Sequence, residues 1–275
     1  MLKSSVTSLI FTTTAIVASP FIDQSVASAQ VSISPITIEV EAKRGQAQEF
    51  IDVTNPGDRP FRARVYAEAF TYDADTGFKI LKSSPTDLRP YLQFSPRELV
   101  VPPRTTRKIR LITRLAPNLP DGEYRAMIFT EPLQENITRN TQGARTRVIT
   151  RVGSALLVRK GNVSPRLSVE NAQWDKNTKK LRLSVRNTGK ASAFARMNWS
   201  LTQNGKNIKS GRTATSALIA EGLRNVVVNT SKEDELNLTP GNYQLTGEFT
   251  WGRNNENRQP FSINFTIPAQ TGVRK

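Results

Sequence analysis

Along this chain, apolar and polar residues alternate in short runs that close on Gly, Pro, Asn or Asp. Such alternation puts successive side chains on opposite faces of an extended strand, and the closing residues supply the turns. Val31-Ser32-Ile33-Ser34 opens one run, and Ile36-Thr37-Ile38-Glu39-Val40 continues it around Pro35. Phe50-Ile51-Asp52-Val53 runs into Asn55-Pro56-Gly57-Asp58, where Pro sets φ and Gly permits a positive one. Ala63, Val65, Ala67 and Ala69 then alternate with Arg62, Arg64, Tyr66 and Glu68, giving one dry face and one wet face. No stretch sustains the helical period over a full window, so the pattern predicts an all-β protein.

The pattern also repeats. Ile51, Val53, Asn55, Gly57, Ala63, Arg64, Val65 and Ala69 match Leu183, Val185, Asn187, Gly189, Ala195, Arg196, Met197 and Leu201 at a constant offset of 132. Leu99, Val100, Leu119, Gly122 and Tyr124 match Leu218, Ile219, Leu238, Gly241 and Tyr243 at an offset of 119. The difference, 132 − 119 = 13 residues, is extra length in the first copy between about Phe70 and Arg97, where Asp73-Ala74-Asp75-Thr76-Gly77 predicts a hairpin tip. Two copies of about seven short strands predict two immunoglobulin-like β-sandwiches in tandem. Tyr124 and Tyr243, each following a turn Gly, predict a tyrosine corner in both, a structural tie from hydroxyl to nearby backbone. The predicted division is a leader over 1–29, a first sandwich over 30–160, a second over 161–268 and a tail over 269–275.

Composition narrows the chemistry. The 275 residues contain neither Cys nor His, which excludes disulfides, thiolate nucleophiles, Cys/His zinc sites and imidazole bases. No Gly-rich phosphate loop and no G-x-S-x-G stands in the sequence, and the Asp73 to Gly77 stretch lacks the Glu that would close a calcium loop. The chain is therefore read as non-catalytic, with no cofactor and no metal. Its first residues combine Lys3, an apolar stretch from Val6 to Ala18 and Ala27-Ser28-Ala29, the pattern of a cleavable export signal. Cleavage there places the mature chain in the periplasm or at the cell surface without a membrane span. Lys and Arg exceed Asp and Glu by 39 − 23 = 16. Arg62, Arg64, Arg104, Arg107, Lys108, Arg110 and Arg114 could meet an acidic polysaccharide, yet Ile109 and Leu111 between them read as the inward half of an ordinary strand. No aromatic ladder interleaves with these bases, which disfavours nucleic acid as a partner.

The order of several stretches carries a family resemblance. Val31-Ser32-Ile33, Phe50-Ile51-Asp52-Val53-Thr54-Asn55, Phe94 through Pro103, Thr106-Arg107-Lys108-Ile109-Arg110-Leu111 and Tyr124 through Phe129 together resemble the periplasmic pilus-assembly chaperones of the PapD type. The resemblance spans Val31 to about Arg159. It implies a protein that binds exported, pilin-like subunits by lending them the last strand of its first sandwich. That strand falls on Arg145 to Arg159, with Thr146, Val148, Thr150 and Val152 as the partner-facing row. The family grips a terminal carboxylate with two bases, whose positions here hold Thr37 and Ala155; Arg151 is the candidate replacement. The alternative is a non-catalytic surface module for anionic polymer, or a structural part of a secretion or pilus machine.

Overall fold

The computed structural model describes residues 31–133, 136–139, 145–148, 150–229 and 235–269; over 136–139 and 145–148 the backbone alone is considered. The expected leader, the tip of the long hairpin and most of the expected tail lie outside these residues. The first sandwich begins with β1 (Ser32–Ser34) and β2 (Thr37–Glu41), which belong to different sheets. Pro35 stands between them and cannot donate to a ladder, so the chain leaves one sheet there and enters the other. The run read from sequence as one interrupted strand is therefore two strands with two partners.

The next strands are β3 (Gln46–Thr54), β4 (Phe61–Tyr72), β5 (Phe78–Leu81), β6 (Leu92–Ser95), β7 (Glu98–Val101) and β8 (Thr106–Arg114). They are followed by β9 (Gly122–Pro132), β10 (Asn136–Arg139), β11 (Arg145–Val148) and β12 (Val152–Lys160). One sheet has the order β1-β3-β8-β6; the facing sheet has the order β2-β12-β9-β4-β5, with β7 also on β4. Ile51, Val53, Ala63, Val65, Ile109, Leu111, Ile128, Leu156 and Val158 fill the space between them. Ile109 and Leu111 point inward and Lys108 and Arg110 outward, as the alternation of that basic strand predicts.

The second sandwich packs β13 (Leu167–Asp175), β14 (Lys180–Asn187) and β18 (Gly222–Val227) against β15 (Ala193–Gln203), β16 (Lys206–Arg212), β19 (Gly241–Trp251) and β20 (Asn257–Ile267), with β17 (Ser216–Leu218) on β15. Its core centres on Leu181, Leu183, Val185, Met197, Trp199, Leu201 and Leu245. The repeat is visible in hydrogen bonds. Asn55 accepts from Gly57 N and donates to Arg59 O and Val101 O; Asn187 accepts from Gly189 N and donates to Ala191 O and Leu218 O. Tyr124 and Tyr243 donate to the carbonyls of Pro120 and Thr239, the two tyrosine corners. One detail of the repeat shifts. Phe61 pairs with Val101, and Ala193 with Leu218, so Val101, not Leu99, is the counterpart of Leu218. A slip of two residues preserves which face each side chain takes, which is why alternation alone could not detect it.

Candidate functional site

β12 is the element on which the strand-lending expectation rests, and its two edges differ. One pairs antiparallel with β9 along its whole length, Val152↔Thr130 to Lys160↔Gly122. The other pairs parallel with β2, but only from Ala155↔Thr37 to Arg159↔Glu41. The last contacts on that side, just before β2 begins, are Ala155 N to Ile36 O and Ser154 Oγ to Pro35 O. Among the described residues, no strand pairs with Val152, Gly153 and Ser154 on that side. Nor does any pair with β11 opposite its partner β10. Ile36, 68% exposed, stands just before β2 begins, so an apolar side chain flanks the open edge.

The strand expected from Arg145 to Arg159 is interrupted. β11 pairs with β10 (Val148↔Asn136, Thr146↔Thr138), and three residues, 149–151, then separate it from β12. Five residues, 131–135, separate the matching positions on the other arm, so the register shifts by two between the two ladders. Pro132, which has no N–H to give, sits at that end of β9. Of the predicted row, Thr146 and Val148 lie in β11, where only the backbone is described. Thr150 is exposed and in neither strand, and Val152 opens β12, half-buried against the first core. Val152, Ser154, Leu156 and Val158 share the core-facing side; Gly153, Ala155 and Leu157 share the other. Gly153 is needed where it is, because a Cβ would stand 2.8 Å from Met127 Sδ and 3.1 Å from a Phe129 ring carbon.

Arg151 lies at the open end of this edge. Its guanidinium is 4.3 Å from the Phe129 ring centroid, and Nη1 donates to Tyr66 Oη at 3.0 Å. Tyr66 in turn donates to Glu131 at 2.6 Å, and Arg64 donates to the other carboxylate oxygen at 2.6 Å. The Tyr66 hydroxyl, then Arg64, hold the Glu131 carboxyl below its usual range, while burial pushes the Tyr66 phenol up. Two guanidinium groups against one carboxylate leave this cluster one positive charge in excess.

Thr37 and Ala155 are brought directly opposite each other, and neither can pair with a carboxylate. A base that the sequence reading passed over, Arg159, stands at the far end of β12. It donates to Glu39 and, at 2.9 Å, to Ser192 O of the second sandwich; its Nε lies 3.5 Å from Glu123. Glu123 is fully buried and accepts from Ser192 N at 2.8 Å and from Ser192 Oγ. Burial raises the Glu39 carboxyl above its ordinary value, although Arg159 opposes this. Beside the pair is a cavity of about 500 Å³ lined by Glu39, Arg159, Pro165, Trp251 and Glu256. Arg151 and Arg159 are eight residues apart on or beside one strand, about 26 Å of extended chain, so they belong to different regions of the edge.

The basic strands are largely matched by their own surroundings. Lys108 pairs with Asp52, Arg104 with Asp58 and Arg64 with Glu131, and Arg110 donates to Gln48. That distribution suits a solvated sheet face.

The sequence matches no protein-family profile and no curated protein. In fold, the chain is similar to the class 5 fimbriae chaperone CfaA, with a TM-score of 0.50, 13% identity, and coverage of 87% of this chain and 100% of that one. A chain from a chaperone–tip adhesin complex of CFA/I fimbriae gives 0.49 at 13% identity, covering 88% and 100%. A chain from the CsuC–CsuE pre-assembly complex of Acinetobacter baumannii gives 0.49 at 14%, covering 86% and 98%. The tandem of two immunoglobulin-like sandwiches seen in the CfaA chaperone is thus the fold of this chain.

Proposed function

We propose that this protein is a periplasmic, non-catalytic chaperone that holds an exported, pilin-like subunit by strand addition at the open edge of β12 and β11. The observation that carries this reading is where β2 begins, opposite Ala155. The chain seals one side of β12 from Ala155 onward and leaves Val152 to Ser154 without a neighbouring strand. An extended segment laid there would continue the ladder, exchanging main-chain hydrogen bonds and placing alternate side chains beside Val152 and the exposed Ile36. The fold shared with a fimbriae chaperone supports the same role. In this reading Thr146, Val148, Thr150 and Val152 form the partner-facing row, and Arg151 receives a carboxylate of the bound segment through its excess positive charge. The first sandwich, 30–160, supplies the strand; the second, 161–268, stands behind it; and residues 1–29 are removed on export.

Co-expression in the periplasm with a pilin-type subunit, followed by co-purification, tests the proposal. The native chain is expected to recover the subunit. Val152→Asp combined with Val148→Asp is expected to abolish recovery while circular dichroism stays native, because a charge on the shared row cannot enter the subunit's dry interior. Recovery unaffected by both substitutions would overturn the reading.

A further inference from the structure

The tip of the β4–β5 hairpin touches the second sandwich. Asp73 shapes the tip: its carboxylate accepts from Asp75 N at 3.0 Å, Thr76 N at 2.7 Å, Gly77 N at 3.2 Å and Thr76 Oγ1 at 2.5 Å. So held, the tip presents three groups to β18. Ala74 O accepts from Asn225 N at 2.9 Å, Asp73 O accepts from Arg224 Nη1 at 2.7 Å, and Asp75 Oδ1 accepts from Asn225 Nδ2 at 2.8 Å. Gly77, at φ +84°, lies against the Arg224 guanidinium, where a Cβ would stand 3.3 Å from Nη2. Among the described residues, β18 is otherwise paired on one side only, with β14.

A second set of contacts between the sandwiches lies elsewhere. Glu123 meets Ser192, Arg159 meets the Ser192 carbonyl, and Phe194 packs on a cluster of Phe70, Met127, Phe129, Ala155 and Leu157. Ser192 Oγ also accepts from Ala220 N, just before β18 begins. One contact patch leaves the sandwiches able to rock about it; a second patch at a distance from the first opposes that rocking. Asn225 stands three residues into β18 from Gly222, about 10 Å of strand from the Ser192 end.

We propose that the β4–β5 hairpin is a clasp that sets the angle between the two sandwiches, with the Glu123–Ser192 contact as its pivot. It makes the tandem a single rigid body and, in the same contact, occupies the free edge of β18. The corresponding hairpin of the second sandwich, between β15 and β16, closes in two residues, Asn204-Gly205, and so has a shorter tip.

Because the chain has no cysteine, Arg107→Cys in β8 and Ser262→Cys in β20, both exposed, give two unique spin-label sites. Tyr72 pairs with Phe78, so replacing residues 73–77 by Asn-Gly closes the hairpin with a two-residue turn and deletes the clasp. The native chain is expected to give one narrow label-to-label distance distribution. The shortened hairpin is expected to broaden it and move its mean, and Arg224→Ala with Asn225→Ala to do the same. An unchanged distribution in the shortened variant would overturn the clasp. Should that variant fail to fold, an unchanged distribution in the double alanine variant overturns it equally. Subunit recovery by the same proteins reads strand capture separately, so the failure of one proposal is distinguishable from the failure of the other.

Discussion

Asn55 and Asn187 show how single side chains hold this fold together. Each is buried at the end of a strand, where a bare turn would leave backbone groups without partners, and each supplies an acceptor and two donors at once. Asn187→Ala would strand the carbonyls of Ala191 and Leu218 and the N–H groups of Gly189 and Arg166. Unpaired buried groups cost about 1–3 kcal/mol each before relaxation and water entry, so a loss of about 3 kcal/mol is expected in urea unfolding of the second sandwich. Asp73 gives a pH test at the same scale. The Thr76 hydroxyl, then backbone N–H groups, lower its carboxyl from 3.8 to about 2. The folded chain thus binds fewer protons there than the unfolded one. The stabilisation is present above the unfolded value and disappears as pH falls through about 2. A carboxyl-carbon NMR titration is expected to find Asp73 near that value, and Thr76→Ala is expected to move it upward.

At the scale of elements, the two halves of β12 stand in different surroundings. Its later half is buried between a parallel and an antiparallel neighbour, with Leu156, Leu157 and Val158 inaccessible to water. Its first residues have a neighbour on one side alone. The dividing point is set by where β2 starts, after Pro35. Gly153 sits at that junction with Met127 and Phe129 lying across it. Gly153→Ala is expected to destabilise the first sandwich by about 1–3 kcal/mol, the usual cost of an added methyl in a filled space, read as a lower thermal midpoint.

At the scale of the molecule, the contact between sandwiches is ionic at its centre and aromatic at its flank. Glu123 is fully buried beside Arg125 and Arg159, and burial lowers the Arg125 guanidinium from its ordinary value. Removing one partner of such a group leaves charge uncompensated in a dry place. The same face buries Phe70, which the alternation of β4 assigns to the wet side. It is dry because Met127, Phe129 and Leu157 surround it and Phe194 of the other sandwich packs against that cluster. The register of the strand proposed to be lent was equally out of reach. Arg145 to Arg159 reads as one continuous alternation, but the register shift beside Pro132 breaks it, and that shift belongs to the pairing of two distant segments.

What the sequence by itself determined is local or repeated. Strand alternation, turn residues, the two tyrosine corners and the Asp73 turn are written in residue type and spacing, because each acts through backbone geometry within a few residues, and the Asn pair is written in the repeat itself. What only the tertiary structure decided is which edges stay open, where Arg151 and Arg159 point, and what the Asp73 hairpin touches. These depend on pairings between segments up to 151 residues apart, as from Asp73 to Arg224, and no periodicity along a chain encodes which distant neighbour closes an edge.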